Sequence, residues 1–523
     1  MKQKIQDFLA SFSLATIIIT GPWLKELGHK NAHLDSSFIR IFVSTIFLTI
    51  GIFTFIFYLL KSKGIYSKKK IIRYSSYVLL SIALVFFLRT IIKICPSNIK
   101  KYIYFILFLF LLVIVFKKFF AIKKYARAKM VTIFFVILFP FSLIVLQKIS
   151  HDFFFKKTKK IVGSDDTKPK VIWIIFDAWD NYLTYEKRIN NISLPTLDNL
   201  KKNYFSATKV YQPANLTQKS IFAYLTGQKA IDKEALSQNR FRIEHTGELL
   251  YGWDKFPSLF DKLSVLGINS SVTGWHLPYS RLFDKYVVKN NMSNNEYAET
   301  FKEKIKGIYI RIIDFYFIHP IDKLSFHKIK LHIKQKRDIK HNAWIQRYKS
   351  IHNDAKNIIA DSFANFCFIH YSIPHPPVIF NAFKKKFTNK FLSYSDNLVL
   401  VDKTIKEIQS LIVEAKLWDS STIIITADHW FRPSMWSGPK FKEFCTISNE
   451  ETEILQGRPG PLIPLIIKMP YQKKCLAYSK PFNAIVLHDL VLDIYKDKIK
   501  NESDLANWFD NIDEKLRLPN LNY

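Results

Sequence analysis

Phe-, Ile- and Leu-rich stretches fill the first 150 residues, and a different pattern begins near Val171. The first region reads as five hydrophobic runs of membrane-spanning length, roughly 7 to 25, 37 to 60, 74 to 95, 102 to 122 and 129 to 149. Residues 151–170 form a polar tether that ends in Ser164-Asp165-Asp166-Thr167-Lys168-Pro169. After it, short β-branched runs alternate with helix-length segments, the pattern of a sheet covered on both faces. Two runs stand out, Val171-Ile172-Trp173-Ile174-Ile175-Phe176 and Thr422-Ile423-Ile424-Ile425-Thr426-Ala427. Later strands are expected at Asn269 to Gly274, Asn365 to Tyr371 and Leu462 to Lys468, and a long helix at Tyr394 to Lys416. The segment near 283–350 lacks strand punctuation and reads as a helical insertion. The expected organisation is a five-span α-helical membrane domain (1–150), the tether, a mostly parallel α/β domain over 171–500, and a C-terminal tail over 501–523.

Charge gives the first region an orientation. The second-to-third connection carries Lys61, Lys63, Lys68, Lys69, Lys70 and Arg73, and the fourth-to-fifth carries Lys117, Lys118, Lys123, Lys124, Arg127 and Lys129. The other two connections are less basic, so the positive-inside rule puts the N-terminus in the cytoplasm. An odd number of spans then puts the α/β domain outside it, in the periplasm of a multi-pass inner-membrane protein. Lys156, Lys157, Lys159 and Lys160, directly after the last run, pull the other way. Gly21-Pro22-Trp23 offers no small-residue cleavage pattern, so the first run reads as an uncleaved anchor. A net charge of +34 would suit a nucleic-acid binder, but the excess sits largely in membrane-flanking loops, and no nucleic-acid partner is expected. Four cysteines are too few for a disulfide scaffold, although Cys445 and Cys475 are placed where a pair outside the cytoplasm is conceivable.

The two strongest strands each end in an acid. Asp177 follows Phe176, and Asp428-His429 follows Ala427. Parallel strands open their carboxyl ends into the crevice where α/β proteins bind ligands, so two carboxylates and an imidazole there suit a divalent cation. Between them, Tyr211 to Gly227 reads as a loop entering a helix that stops at Gly227. Thr217 falls near that helix's amino terminus, either as an ordinary N-cap or as a hydroxyl that a neighbouring cation activates as a nucleophile. Asp180 is a further ligand or a helix-starting acid. His276 and Tyr279 line a substrate pocket or form an aromatic turn, and Lys440 meets an anionic oxygen or is simply solvated. His370 reads as a packed strand residue, His375 as a residue at the site edge.

In this order, strand-Asp177, the Thr217 helix ending Leu225-Thr226-Gly227, Ile369-His370-Tyr371-Ser372-Ile373-Pro374-His375-Pro376-Pro377 and strand-Asp428-His429 resemble the alkaline phosphatase and sulfatase superfamily. Five spans ahead of such a domain look most like the membrane-anchored phosphoethanolamine transferases and lipoteichoic acid synthases. The resemblance implies that Asp177, Asp428 and His429 bind one divalent metal, zinc or manganese. It also implies that Thr217 is both nucleophile and ligand, and that His375 contacts the substrate or protonates the leaving group. Thr217-Gln218-Lys219-Ser220 departs from the Cys/Ser-x-Pro/Ala-x-Arg motif that sulfatases oxidise to formylglycine. Ala427-Asp428-His429-Trp430 puts an indole where Ser-Asp-His-Gly has glycine. No second-metal set is visible, which favours one-metal transferases over two-zinc phosphatases. The expected function is transfer of a phosphoryl-linked head group, of phosphoethanolamine or phosphoglycerol type, from a membrane lipid donor to an envelope glycan or lipid acceptor through a phosphothreonine. The alternatives are a phosphoester or sulfoester hydrolase of the same fold, and a catalytically degenerate envelope assembly factor.

Overall fold

The structure, a computed structural model, describes residues 2–28, 36–60 and most of 168–513. The chain forms two compact units. The first comprises Met1–Ala32, Ser36–Phe155 and Ala298–Lys330, and the second His33–Asp35, Lys156–Tyr297 and Leu331–Tyr523.

In the first unit, helices α1 (Lys2–Gly28) and α2 (Ser36–Leu59) pack against each other and coincide with the first two expected spans. Ser11, Thr20, Thr49 and Thr54 return their hydroxyls to the carbonyl four residues earlier, which satisfies polar groups within an apolar helix. Among the described residues no helix is long and apolar enough to cross a membrane. The other three expected spans lie outside the described residues, apart from Phe139.

The second unit is built on an eight-stranded sheet. In chain order its strands are β1 (Val171–Asp177), β2 (Phe205–Ala207), β3 (Ser270–Gly274), β4 (Val287–Met292), β5 (Phe366–Pro374), β6 (Thr422–Ala427), β7 (Leu465–Lys468) and β8 (Leu476–Tyr478). Their spatial order is β8-β2-β7-β6-β1-β5-β3-β4, and β7 runs against all the others. β1 lies at the centre and every one of its residues is buried, which is why it needs an unbroken apolar sequence rather than an alternating one. Val171 is level with Thr422 on one side and Phe366 on the other, so the carboxyl ends of β6, β1 and β5 reach one edge together. That register brings residues far apart in sequence to a common site.

Helices cover both faces. They include α3 (Pro195–Asn203), α4 (Thr217–Thr226), α5 (Leu259–Val265), α6 (His327–Ala360), α7 (Tyr394–Glu414), α8 (Leu487–Tyr495) and α9 (Glu502–Asp510), with a further short helix at Asn449–Gln456. α7 packs on β5, and α8 packs on α4 and α5. α4 ends where expected. Gly227 takes φ +73° and its N–H reaches Ala223 O at 2.8 Å, a left-handed cap that a side chain would strain.

Three parts of the domain differ from the sequence expectation. The segment near 283–350 is entered by an edge strand, β4, before α6. Its Val287-Val288-Lys289-Asn290-Asn291-Met292 pairs on one side only and so needs no continuous apolar run. The strands β2 and β8 have three residues each, too short to show a period. The expected tail begins as a helix of the domain: Asn501 caps α9, and Phe509 lies 4.7 Å from the ring of Phe205 in a stacked pair. Cys475 is a free thiol, and Cys445 lies outside the described residues.

Candidate metal and nucleophile site

Asp177 is the last residue of β1, and Asp428 is the first residue after β6. Both are fully buried. Asp428 Oδ1 accepts the backbone N–H of Ala178 at 3.0 Å and that of His429 at 2.7 Å. Ala178 holds φ +60°, a left-handed turn at the end of β1 that goes with this contact. The other three carboxylate oxygens, Asp428 Oδ2 and both of Asp177, have no hydrogen-bond partner among the described residues. Burial first, and then the charge of Asp428, hold the Asp177 carboxyl well above its usual range; burial likewise raises Asp428. Three unpartnered carboxylate oxygens in one buried spot are costly unless a cation or a proton joins them.

The tautomer of His429 follows from its neighbours. Nδ1 is 2.8 Å from Trp430 O, a pure acceptor, so Nδ1 carries the hydrogen. Burial, then Arg432, push its pKa down to about 3, so the ring is neutral and Nε2 presents a lone pair. That nitrogen stands 3.4 Å from Asp177 Oδ1, 3.6 Å from Asp428 Oδ2 and 3.3 Å from Thr217 Oγ1. Three electron-rich atoms and one hydroxyl therefore converge. Mixed carboxylate and imidazole donors of this kind are the chemistry of divalent zinc and manganese sites, and the residues present fit such an ion.

Thr217 opens α4, and the N-cap position belongs to Leu216, which contributes no side-chain cap. The hydroxyl is therefore not engaged in capping. It is 6% exposed and turned toward His429. The helix's first N–H groups and its dipole meet the same point, where an anionic group is favoured.

His375 follows β5 and donates its backbone N–H to Asp177 O at 3.0 Å. Its Nδ1 is 2.5 Å from Pro376 O, and its ring stacks on Trp344 of α6 with centroids 5.7 Å apart and planes at 9°. Burial, ahead of His429, lowers its pKa well below the ordinary value. Tyr279 Oη lies 2.9 Å from His370 Nδ1, deep beside the carboxylates. His276 takes φ +71° and packs edge-on to Trp275; burial, then His429, push its pKa to about 3.

Asp180 is turned away from this cluster. Its Oδ2 pairs with Arg458 Nη1 at 3.1 Å and its Oδ1 accepts Leu183 N–H at 3.0 Å, the arrangement of a helix-starting acid. Burial, opposed by Arg458, leaves its pKa at about 6. Arg458 in turn lies 3.4 Å over the Trp430 ring. The indole that stands where glycine was expected thus has its own partner, and the backbone N–H of Trp430 donates to Gln212 Oε1 at 2.8 Å. Lys440 lies outside the described residues.

Two groups escape sequence reasoning. Arg432, three residues beyond His429, donates to Asn215 O at 2.5 Å and is attracted to Asp177 and Asp428. Its Nε is buried with no hydrogen-bond partner among the described residues. His370, read as packed, has Nε2 buried with no hydrogen-bond partner among the described residues, and a donor atom of His370 lies within 4.8 Å of one from each of Asp177 and Asp428. A lone Arg two residues past an indole carries no pattern, whereas a His inside a buried apolar strand is a signal that could have been used.

Comparisons with known proteins bear on the whole domain. The family model described as Sulfatase matches residues 169–490. No curated protein gives a significant match. Similar solved structures include an alkaline phosphatase superfamily protein from Vibrio parahaemolyticus, at 12% identity over 65% of this chain and 67% of that one, with a TM-score of 0.38. A phosphonate monoester hydrolase from Silicibacter pomeroyi shares 14% identity over 63% and 73%, at 0.37. The lipoteichoic acid synthase LtaP from Listeria monocytogenes shares 13% over 62% and 72%, at 0.34.

Proposed function

The chain belongs to the sulfatase family, within the alkaline phosphatase and sulfatase superfamily, and on that premise we propose that it is a metal-dependent phosphotransferase whose nucleophile is Thr217. The reading rests on one observation: the Thr217 hydroxyl lies 3.3 Å from the lone pair of His429, beside carboxylate oxygens with no hydrogen-bond partner among the described residues. Asp177, Asp428, His429 and Thr217 would hold one zinc or manganese ion. Bound there, the ion supplies Lewis acidity that lowers the hydroxyl pKa and offsets charge on the phosphoryl oxygens. The Thr217-Gln218-Lys219-Ser220 sequence contains no residue for formylglycine formation in the sulfatase pattern, which favours phosphoryl over sulfuryl chemistry.

In the first step the Thr217 oxygen bonds to phosphorus of a lipid phosphodiester as the bond to the diacylglycerol oxygen breaks. The proton lost by Thr217 ends on that departing oxygen. In the second step an acceptor hydroxyl on an envelope glycan or lipid forms the new P–O bond, the Thr217–phosphorus bond breaks, and Thr217 regains a proton. His375 gives its Nδ1 hydrogen to Pro376 O, so its Nε2 is the accepting nitrogen and suits a hydrogen bond from that hydroxyl that orients the acceptor. Arg432 and the first turn of α4 face the transferring group's anionic oxygens.

A lipid donor accords with the apolar runs and basic loops of residues 1–150, which we read as a five-span inner-membrane anchor with the catalytic domain in the periplasm, and its phosphoethanolamine or phosphoglycerol type is what the resemblance to membrane-anchored transferases and synthases implies. Incubation of the purified chain with donor lipid and no acceptor tests the chemistry. A phosphodiester-sized mass gain on the peptide containing Thr217, discharged on adding a hydroxyl acceptor, supports transfer. Discharge by water at the same rate supports a hydrolase, and no adduct with either overturns the mechanism.

A further inference from the structure

His370 lies in the middle of β5, in register with Ile175 of β1 on one side and Gly274 of β3 on the other. It is fully buried. A buried neutral imidazole in a strand ordinarily uses both nitrogens, and His488 elsewhere in this domain does so, with Tyr224 O on Nδ1 and Lys262 Nζ on Nε2. His370 uses one. Nδ1 meets Tyr279 Oη at 2.9 Å, and Nε2 has no hydrogen-bond partner among the described residues although it is sealed from water.

A donor atom of the ring and one from each of Asp177 and Asp428 lie within 4.8 Å of one another. Metal–ligand bonds of about 2.0 to 2.2 Å span separations of that order across a common ion. The backbone also makes room for this approach. A Cβ on Gly274 would stand 2.8 Å from His370 Cβ, 3.0 Å from His370 O and 3.1 Å from the Tyr279 ring. Only glycine lets the three groups nest, and nesting puts the phenol on Nδ1 and leaves Nε2 without a hydrogen-bond partner among the described residues.

We propose that His370 Nε2 is a further ligand of the cation held by Asp177 and Asp428, with Tyr279 fixing the ring in the metal-binding tautomer by accepting the Nδ1 hydrogen. This rests on the reading of the site as a metal centre. It makes Tyr279 a positioning residue, since an oxygen acceptor on one imidazole nitrogen orients the other toward a metal and raises its basicity. It also takes the ligand set across three strands of the sheet, β6, β1 and β5, and a ligand on each ties their ends together.

The test is Zn²⁺ titration of the metal-depleted full-length chain against a chromophoric chelator, with the visible spectrum of the Co²⁺ form as a second readout. His370→Gln keeps the side-chain volume and His370→Ala removes it, so that a folded variant is available if one fails. The expected result is a loss of Zn²⁺ affinity beyond the roughly 10–100-fold typical of losing an orienting partner, with a changed Co²⁺ spectrum. Tyr279→Phe should weaken binding within that 10–100-fold range and keep the spectrum. Wild-type affinity and an unchanged Co²⁺ spectrum in a folded His370 variant would overturn the proposal. Asp428→Asn, titrated in parallel, separates the two readings: if it loses Zn²⁺ while the His370 variants do not, His370 alone is misassigned, and if it too binds normally the metal centre itself is wrong.

Discussion

Asp177 Oδ1 and His429 Nε2 stand 3.4 Å apart, and the ring nitrogen has no hydrogen to offer. The His429 hydrogen is committed to Trp430 O, neither Asp177 oxygen has a hydrogen-bond partner among the described residues, and burial and the charge of Asp428 raise the Asp177 pKa. Ionised Asp177 needs a positive charge beside it, so a cation bound there displaces the proton that the raised pKa retains, and that exchange has measurable consequences.

Without a cation the carboxylates oppose folding. Asp177→Asn should therefore stabilise the metal-free protein by about 1–3 kcal/mol, the scale of relieving one unsatisfied buried group. The same change should abolish stabilisation by zinc, which for the wild type is about 2.7 kcal/mol at a hundredfold excess over Kd. Denaturant titrations with and without Zn²⁺ measure both, and a variant that still responds to Zn²⁺ as the wild type does would remove Asp177 from the site.

Thr217→Ala should abolish turnover while costing little stability, because Leu216 and not Thr217 occupies the cap position. Thr217→Ser should retain partial activity, its hydroxyl being less constrained in rotamer. Initial rates on a lipid phosphodiester, read beside melting temperatures, check both halves. Normal turnover by Thr217→Ala would point to a water nucleophile.

The pH dependence of stability has a contribution from His488, away from the carboxylates. Burial, then Lys262, push its pKa to about 4, against 6.5 for the free side chain. The unfolded chain therefore binds the proton first, and this contribution is fully present above about pH 6.5 and lost as pH falls toward 4. At 1.36 kcal/mol per unit the loss approaches about 3 kcal/mol. His488→Gln should flatten the unfolding free energy over that window, and an unchanged slope would contradict the assignment.

Gly274→Ala should be among the most damaging single-methyl additions in the domain. The new Cβ meets the His370 backbone oxygen at 3.0 Å as well as its Cβ, and backbone in a central sheet cannot swing aside. A destabilisation of about 1–3 kcal/mol, or more, is expected by denaturant titration.

The sheet's centre was legible because β1, β5 and β6 are buried on both faces and so must be written in continuous apolar residues. Asp177, Asp428 and His429 were legible for the complementary reason, as charge placed where such a strand stops. β2, β4 and β8 were not, since short or edge strands are specified by neighbours rather than by their own sequence. The same holds for Arg432 and for the free nitrogen of His370: what matters is which groups surround them in space. Asp180 shows the limit from the other side, an acid in a suggestive motif that Arg458, 278 residues later, turns to a structural task.

The central position of β1 also sets the order in which the domain can be completed. It is the first strand of the sheet to be synthesised, yet its two partners begin at Phe366 and Thr422, and Asp428 reaches the backbone of Ala178 across 250 residues of chain. Until the ribosome has passed β5 this apolar strand waits with both edges open, and until it has passed β6 one edge remains a template for pairing with the wrong neighbour. The nascent chain is thus exposed to aggregation throughout that stretch of its synthesis, and expression should depend on holdase chaperones far more than the finished domain's buried sheet would suggest.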